Sequence, residues 1–404
     1  MSAPALDALV RACLPLAADG TDPEALAALL AWTVRPRRSL EALRRRALDA
    51  GVTADRAGPR LHDWTLAEVD AGDAAAATGL VAAWRRHGCR LSLVGDPGYP
   101  QRLAEGWPSS DGPVLLAAAG TVPDAVASVA FVGARRATAY GTGVTAWLAE
   151  AAAAAGVHVV SGGAVGIDAA AHRAALRQPG ATTVVLGCGH AVPYPRAHAR
   201  PGGLFAGIVA AGGAVISEQL PSVPPRAGIV RARNRIVAGL ADVVVVVEGG
   251  PRSGSLLTAS AALERGRPVL AVPGDVRAPG SHAPHRLLRE GAAPCTEPAD
   301  LLEVLGLGGG ATAWQPATGG PAASPATSVL PPGLRTALEV AWPRARPLDD
   351  LLAGTDLAAG PALAAITRAQ LAGEVVERPD GLVLRQDPGA ERSRRGDRPV
   401  APNA

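Results

Sequence analysis

Apolar residues follow two different rhythms along this chain. Up to about residue 75 they recur at helical spacing. LDALVRACLPLA, PEALAALLAWTV, SLEALRRRALDAG and TLAEVDAGDAA each set Leu, Val or Ala three and four positions apart. This predicts a module of short helices. From about residue 80 the texture changes. AAWRRHGCRLSLVGDPGYPQRL predicts a helix, a short strand over Leu91–Val94 and a loop, and Val114–Ala118 predicts a second strand. Regular alternation then begins. Strands are predicted over Val129–Val132, Val157–Val160, Thr183–Leu186, Ala214–Ser217, Val243–Val247 and Val269–Val272. Helices are predicted between them over Tyr140–Gly156, Asp168–Arg177, Leu204–Ala211, Asn234–Leu240 and Ser255–Arg265. Nearly continuous apolar strands alternating with helices imply an α/β fold with a parallel sheet covered on both faces.

Residues 306–332 break the pattern. They are rich in Gly, Pro, Ala, Ser and Thr and read as a flexible linker. Beyond it, LRTALEVA, PLDDLLAG and GPALAAITRAQLAG predict three helices, and EVVERPDGLVLR predicts a hairpin turning at Asp380-Gly381. Three helices and a hairpin outline a winged helix over 333–386. Its third helix carries Arg368 as its base. That favours protein contact or a structural role over duplex reading. Residues 387–404 read as a disordered tail. The division is therefore a helical module at 1–78, an α/β domain at 79–305, the linker, the winged-helix domain and the tail.

Composition adjusts this picture in three places. At 404 residues and 48% hydrophobic, the chain can fill two or three cores, but only 3% of it is aromatic. All 39 basic residues are arginines and the net charge is only +3, so any basic surface must be local. Cys13, Cys89, Cys188 and Cys295 are scattered, with no CxxC and no zinc spacing, which suits a reduced cytoplasm. The first twenty residues lack the uninterrupted apolar run of a signal peptide, and no run reaches the ~18 apolar residues of a membrane span. A soluble, cytoplasmic protein without a membrane partner is expected.

Ligands of parallel sheets bind outside the carboxyl ends of the strands. Four loops are expected there. Gly133-Ala134-Arg135-Arg136 places guanidinium groups at a strand end, where a phosphate would sit; a surface arginine pair is the plainer alternative. Ser161-Gly162-Gly163 and Gly166-Ile167-Asp168 form a glycine turn opening a helix, whose N–H groups favour an anion. A merely well-capped helix, with His172 partnering Asp168 one turn away, would look the same. Arg231-Ala232-Arg233-Asn234-Arg235 could track a phosphate backbone, or could form ion pairs with Glu218 or Glu248. Arg252-Ser253-Gly254-Ser255, with Thr258, offers hydroxyl and N–H donors or a plain N-cap. No loop carries a Walker A lysine, a GxSxG, paired carboxylates beside a nucleophile, a metal cluster or a GxGxxG. This set suggests a binder rather than a catalyst, with no cofactor and no metal.

The motifs FVGARRATAYG, VVSGGAVGIDAAAHRAAL, VVLGCG…YP, ARNRIVAGLADVVVVVEGGPRSGSLLTASAALERGRPVLAVPGD and GSHAPHRLLREGA stand in the order of one family. Over roughly residues 90–305 the chain resembles the DNA-processing protein A family, DprA or Smf. The resemblance implies an extended Rossmann-like domain flanked by a SAM-like helical module and a winged helix. It implies single-stranded DNA bound in a positive pocket, self-association as a homodimer, and loading of the RecA recombinase during natural transformation, without enzymatic activity. Carried over by position, the pocket would use Gly133, Arg135, Ser161, Gly162, Gly166, Asp168, Arg233, Asn234, Arg235, Ser253, Gly254 and Ser255. Arg136 and Gly163 adjoin it, and Arg226 and Arg231 could add phosphate contacts. Ala134, Val165 and Val230 depart from the family's usual serine, basic residue and aromatic. Alternative readings are a diverged paralogue acting through protein partners and a nucleotide phosphoribohydrolase-like enzyme.

Overall fold

The computed structural model describes residues 3–35, 38–123, 126–178, 182–307 and 330–341, with short stretches between 350 and 384. It divides into two units, residues 1–314 and 315–404. The first unit begins with α1 (Ala3–Cys13), α2 (Pro23–Thr33), α3 (Leu40–Asp49), α4 (Ala54–Leu66) and α5 (Ala71–Arg86). Capping sets these boundaries. Asp22 and Ser39 accept N–H groups at the starts of α2 and α3. The single helix expected over TLAEVDAGDAA is split, because Asp70 caps α5: its side chain takes the N–H groups of Gly72 and Asp73, and the Asp73 carboxylate takes that of Asp70. Helix α4 was not among the predicted helices, and Pro59 lies inside it. Its buried stripe of Ala57, Leu61 and Thr65 outweighs the roughly 3 kcal/mol helix penalty of proline.

The expected boundary at 78/79 falls inside α5. One core runs through both parts: Leu26, Leu30 and Trp84 cluster with Leu91, Ile216 and Val244. The backbone ties them as well, with Leu91 N–H donating to Leu16 O at 2.7 Å and Ala18 N–H to Leu91 O at 2.8 Å.

Nine strands form one sheet: β1 (Cys89–Leu93), β2 (Leu115–Gly120), β3 (Ser128–Val132), β4 (His158–Ser161), β5 (Thr182–Val185), β6 (Ala214–Ser217), β7 (Val243–Val246), β8 (Val269–Ala271) and β9 (Ala293–Pro294). Their order is β1-β2-β6-β5-β4-β3-β7-β8-β9. From β6 through β9 every pair is parallel, but β2 pairs antiparallel with both β1 and β6. The sheet is thus mixed at one edge. Helices α6 (Gln101–Ala104), α7 (Ala139–Ala154), α8 (Ile167–Ala175), α9 (Arg196–Ala199), α10 (Leu204–Ala210), α11 (Ala227–Ala232), α12 (Asn234–Leu240), α13 (Ser255–Glu264), α14 (His282–Arg289) and α15 (Pro298–Val304) make the connections. Alternate residues of each central strand enter opposite layers. Ala130, Val132, Val244 and Val246 join the core shared with the first helices, while Val129, Phe131, Val243 and Val245 join one with Leu148, Ile167 and Leu301.

In the second unit, α16 (Pro332–Ala341) and the antiparallel pair β10 (Val375–Arg378) and β11 (Gly381–Leu384) are described. Leu334, Leu338, Leu351, Ile366 and Val375 form its small core. Arg368, Asp380, residues 308–329 of the linker and the 387–404 tail lie outside the described residues.

Two histidines sit in the first unit as neutral groups. His172 Nδ1 meets Thr182 Oγ1 at 2.6 Å, and burial pushes its pKa down to about 3. His190 Nε2–H donates to Val215 O at 3.0 Å, and burial pushes its pKa down to about 4. In the unfolded chain both titrate near 6.5. As pH falls from about 6.5 towards 3 to 4, the unfolded state takes up protons that the folded state refuses. Their contribution to stability is therefore present above about 6.5 and is lost on acidification, at up to about 1.4 kcal/mol per pH unit for each histidine. Urea unfolding between pH 7 and pH 5 should show this fall, and His172→Gln should flatten it. An identical slope in the variant would show that His172 is not a source.

Candidate anion-binding site at the carboxyl edge

The site is placed by the order of the strands. From β3 the chain moves outward through β4, β5 and β6, then returns to lay β7 against the other side of β3. The loops after β3 and β7 therefore diverge and leave a crevice between them. Glu248, just beyond β7, braces this mouth. Its buried carboxylate accepts the Thr138 N–H at 3.0 Å and the Thr138 hydroxyl, while Thr138 Oγ1 accepts the Gly141 N–H and caps α7. Gly133 is needed where the two loops meet, since a Cβ there would lie 2.7 Å from Ile167 Cγ1 and 2.8 Å from Glu248 O.

A cavity of about 1050 Å³ opens at this edge. It is lined by Gly133, Arg135, Gly162, Asp168, Arg226, Arg231, Arg233, Asn234, Ser253, Gly254 and Ser255, all singled out from sequence. Arg252 and Tyr194 line it too. Arg135, Arg226, Arg231 and Arg252 are exposed, and among the described residues none of them forms an ion pair. Arg233 is different: it is 6% exposed. Its Nη1 donates to Val185 O at 2.7 Å, its guanidinium lies where any side chain at Gly162 would stand, and its buried Nε has no partner. Asp168 is also buried, and its carboxylate accepts the Ala164 N–H at 3.2 Å. Burial pushes the Asp168 pKa up, against the pull of the Arg233 charge; burial pushes the Arg233 pKa down, against the pull of Asp168. No direct ion pair joins the two among the described residues. A desolvated guanidinium and a ring of free arginines favour an anion, and strongly so with more than one phosphate.

Other expected residues have different roles. Ser161 is fully buried and its hydroxyl donates to Phe131 O at 2.6 Å, so it joins strands. Gly163 and Gly166 have φ of +68° and +84° and shape the turn without lining the cavity. Arg136 is exposed outside it. Arg235 faces a separate cavity of about 530 Å³, where its guanidinium pairs with Glu218 at 2.6 and 2.9 Å. Asn234 donates to Gly254 O at 3.1 Å and so holds the loop after β7. In the glycine turn the Ala164 N–H is taken by Asp168 and the Ile167 N–H by Ala134 O at 3.2 Å. His172 does not partner Asp168, because its Nδ1 turns to Thr182. Tyr194 was missed as a lining residue. It lies about sixty residues from either arginine loop that flanks the cavity's β3 and β7 walls, and the signal for it was the YP that ends the VVLGCG…YP motif.

Comparison with known proteins agrees with this fold. The model of the family described as DNA recombination-mediator protein A matches residues 90–306, more than half of the chain. Protein Smf of Escherichia coli is 46% identical over 180 residues, covering 45% of this chain and 47% of that protein. The putative DNA processing protein DprA of Mycobacterium tuberculosis is 42% identical over 232 residues, 55% of this chain and 59% of that one. The chain thus spans about half to three-fifths of the length of these curated relatives. The X-ray structure of DprA from Streptococcus pneumoniae superposes with a TM-score of 0.53 at 28% identity, over 69% of this chain and 96% of that one. On its motifs, its sheet and this match, the chain belongs to the DNA recombination-mediator protein A family, DprA or Smf.

Proposed function

We propose that this protein binds single-stranded DNA in the carboxyl-edge cavity and acts as a non-enzymatic mediator. In this reading it protects incoming strands and loads the RecA recombinase onto them in natural transformation, working as a cytoplasmic homodimer. One observation carries the DNA-binding part: four exposed arginines without acidic partners surround a fifth, buried one in a single concave site. Several arginines elsewhere meet acids, as Arg44, Arg102 and Arg235 do, whereas these four converge unpaired on one concave site. Leaving these four unpaired is electrostatically unfavourable unless an anion completes them. A polyanion does so at several points at once, and a single strand can thread a crevice between loops. RecA loading and self-association rest on family membership. For the catalytic alternative, the lining supplies no nucleophile held by a base; Asp168 is occupied with the turn, and the Ser253 and Ser255 hydroxyls meet each other at 2.8 Å.

Fluorescence anisotropy of a labelled oligonucleotide tests this. Binding should prefer the single strand over duplex competitor and fall steeply with salt. Arg231→Ala should weaken it about tenfold and lower the slope of log K against log salt by about 0.7. Absence of binding even at low salt would overturn the reading. Arg235→Ala should behave differently, leaving the salt slope unchanged. By stranding the largely buried Glu218 carboxylate it should instead reduce unfolding free energy by about 2–3 kcal/mol, read by urea denaturation.

A further inference from the structure

Aromatic side chains are few in this chain, and most of those described are inside it. Trp84, Tyr99, Phe131 and Trp107 are almost completely buried. Among the described residues only Tyr140 and Tyr194 are exposed, at 52% and 47%. Tyr140 is committed elsewhere: its hydroxyl donates to Pro273 O at 2.6 Å, and it does not line the cavity. Tyr194 lines the cavity together with Gly162 and Pro225, and among the described residues its hydroxyl has no partner.

The backbone that carries Tyr194 is nevertheless held firmly. It follows β5 in a loop whose Gly189 and Ala191 N–H groups donate to Val223 O and Pro221 O at 2.8 and 2.9 Å. After Tyr194, the His198 N–H donates to Pro195 O at 3.0 Å, and its ring Nδ1–H donates to Gly163 O at 2.9 Å. The loop is thus fastened to the segment before α11 on one side and to the glycine turn on the other. A half-exposed ring on a fixed backbone loses little freedom when a flat partner settles on it. The partner must be flat and apolar on its faces, yet belong to a molecule that carries phosphates to the arginines of the same cavity. A nucleobase meets both conditions.

We infer that the Tyr194 ring is the stacking platform for a base of the strand whose phosphates meet Arg135, Arg226 and Arg231. This rests on the proposed binding of single-stranded DNA at this cavity. It assigns the two kinds of contact to different residues: the arginines hold the backbone, and Tyr194 holds a base without reading its identity.

The full-length protein is tested with a labelled oligothymidylate and with an oligonucleotide of the same length containing abasic sites. Tyr194→Phe should bind like the wild type. Tyr194→Leu and Tyr194→Ala should bind oligothymidylate about 5- to 100-fold more weakly, with the salt slope unchanged. On the abasic strand all four proteins should bind alike, because no base is present to stack. A merely structural role for Tyr194 would weaken both strands equally, and that result would overturn the inference. So would equal binding of oligothymidylate by the wild type and Tyr194→Leu; in that case strand binding itself stands. Loss of wild-type binding to both strands would instead overturn the DNA-binding reading and this inference with it.

Discussion

The pairing of β3 with β7 is the constraint from which the site follows. Val129–Val132 runs in register beside Val243–Val246, although more than a hundred residues separate them in sequence. Once these two strands are neighbours, the loops at their carboxyl ends must leave in different directions. The chain has already gone outward through three strands on the far side of β3, so no crossing segment fills the gap. Glu248 then turns a gap into a shaped mouth by taking both the N–H and the hydroxyl of Thr138. The apolar alternation of the same two strands feeds two cores at once, so the mouth stands on deeply buried strands.

The interior of the site stores an electrostatic imbalance. Arg233 has been taken out of water with one carbonyl bond and an orphaned Nε. Asp168 is buried nearby but spends its carboxylate on the glycine turn. Each charge lowers the burial penalty of the other, yet they are not in contact. A contacting pair would neutralise the pocket. Held apart, they leave a guanidinium whose field reaches the cavity while the turn beneath it stays rigid.

The central strands were legible because Val, Ile and Ala dominate these short runs, as in Val243–Val246. β9 was not, being only Ala293-Pro294 with no pattern to read. The antiparallel edge was missed for a related reason: LLAAA looks the same whichever way its neighbour runs. In the site, the four loops were legible through glycine and arginine, but the fates of the arginines were not. In one continuous helix Arg231 and Arg235 would share a face. Here α11 ends at Ala232 and α12 starts at Asn234, so the helix is interrupted at Arg233. Arg231 therefore reaches the carboxyl-edge cavity and Arg235 the cavity with Glu218. At that break Arg233 packs against Gly162, a contact seventy residues away that no local window contains.

The same reasoning explains why a net charge of +3 says little about partners here. Many of the arginines are spent on neighbouring acids, often within a few residues, as Arg286 is with Glu290 and Arg277 with Asp275. Such pairs cancel at short range and contribute almost nothing to the field at a distance. What a polyanion meets is the remainder that is not cancelled, and its position matters more than its total. Concave walls of low polarizability concentrate that remainder, so four unpaired arginines around one crevice outweigh a larger number spread over a convex surface. Two acids do line the cavity, but Glu290 pairs with Arg286 and Asp168 holds the glycine turn, so the four unpaired arginines still leave it positive in a protein that is nearly neutral.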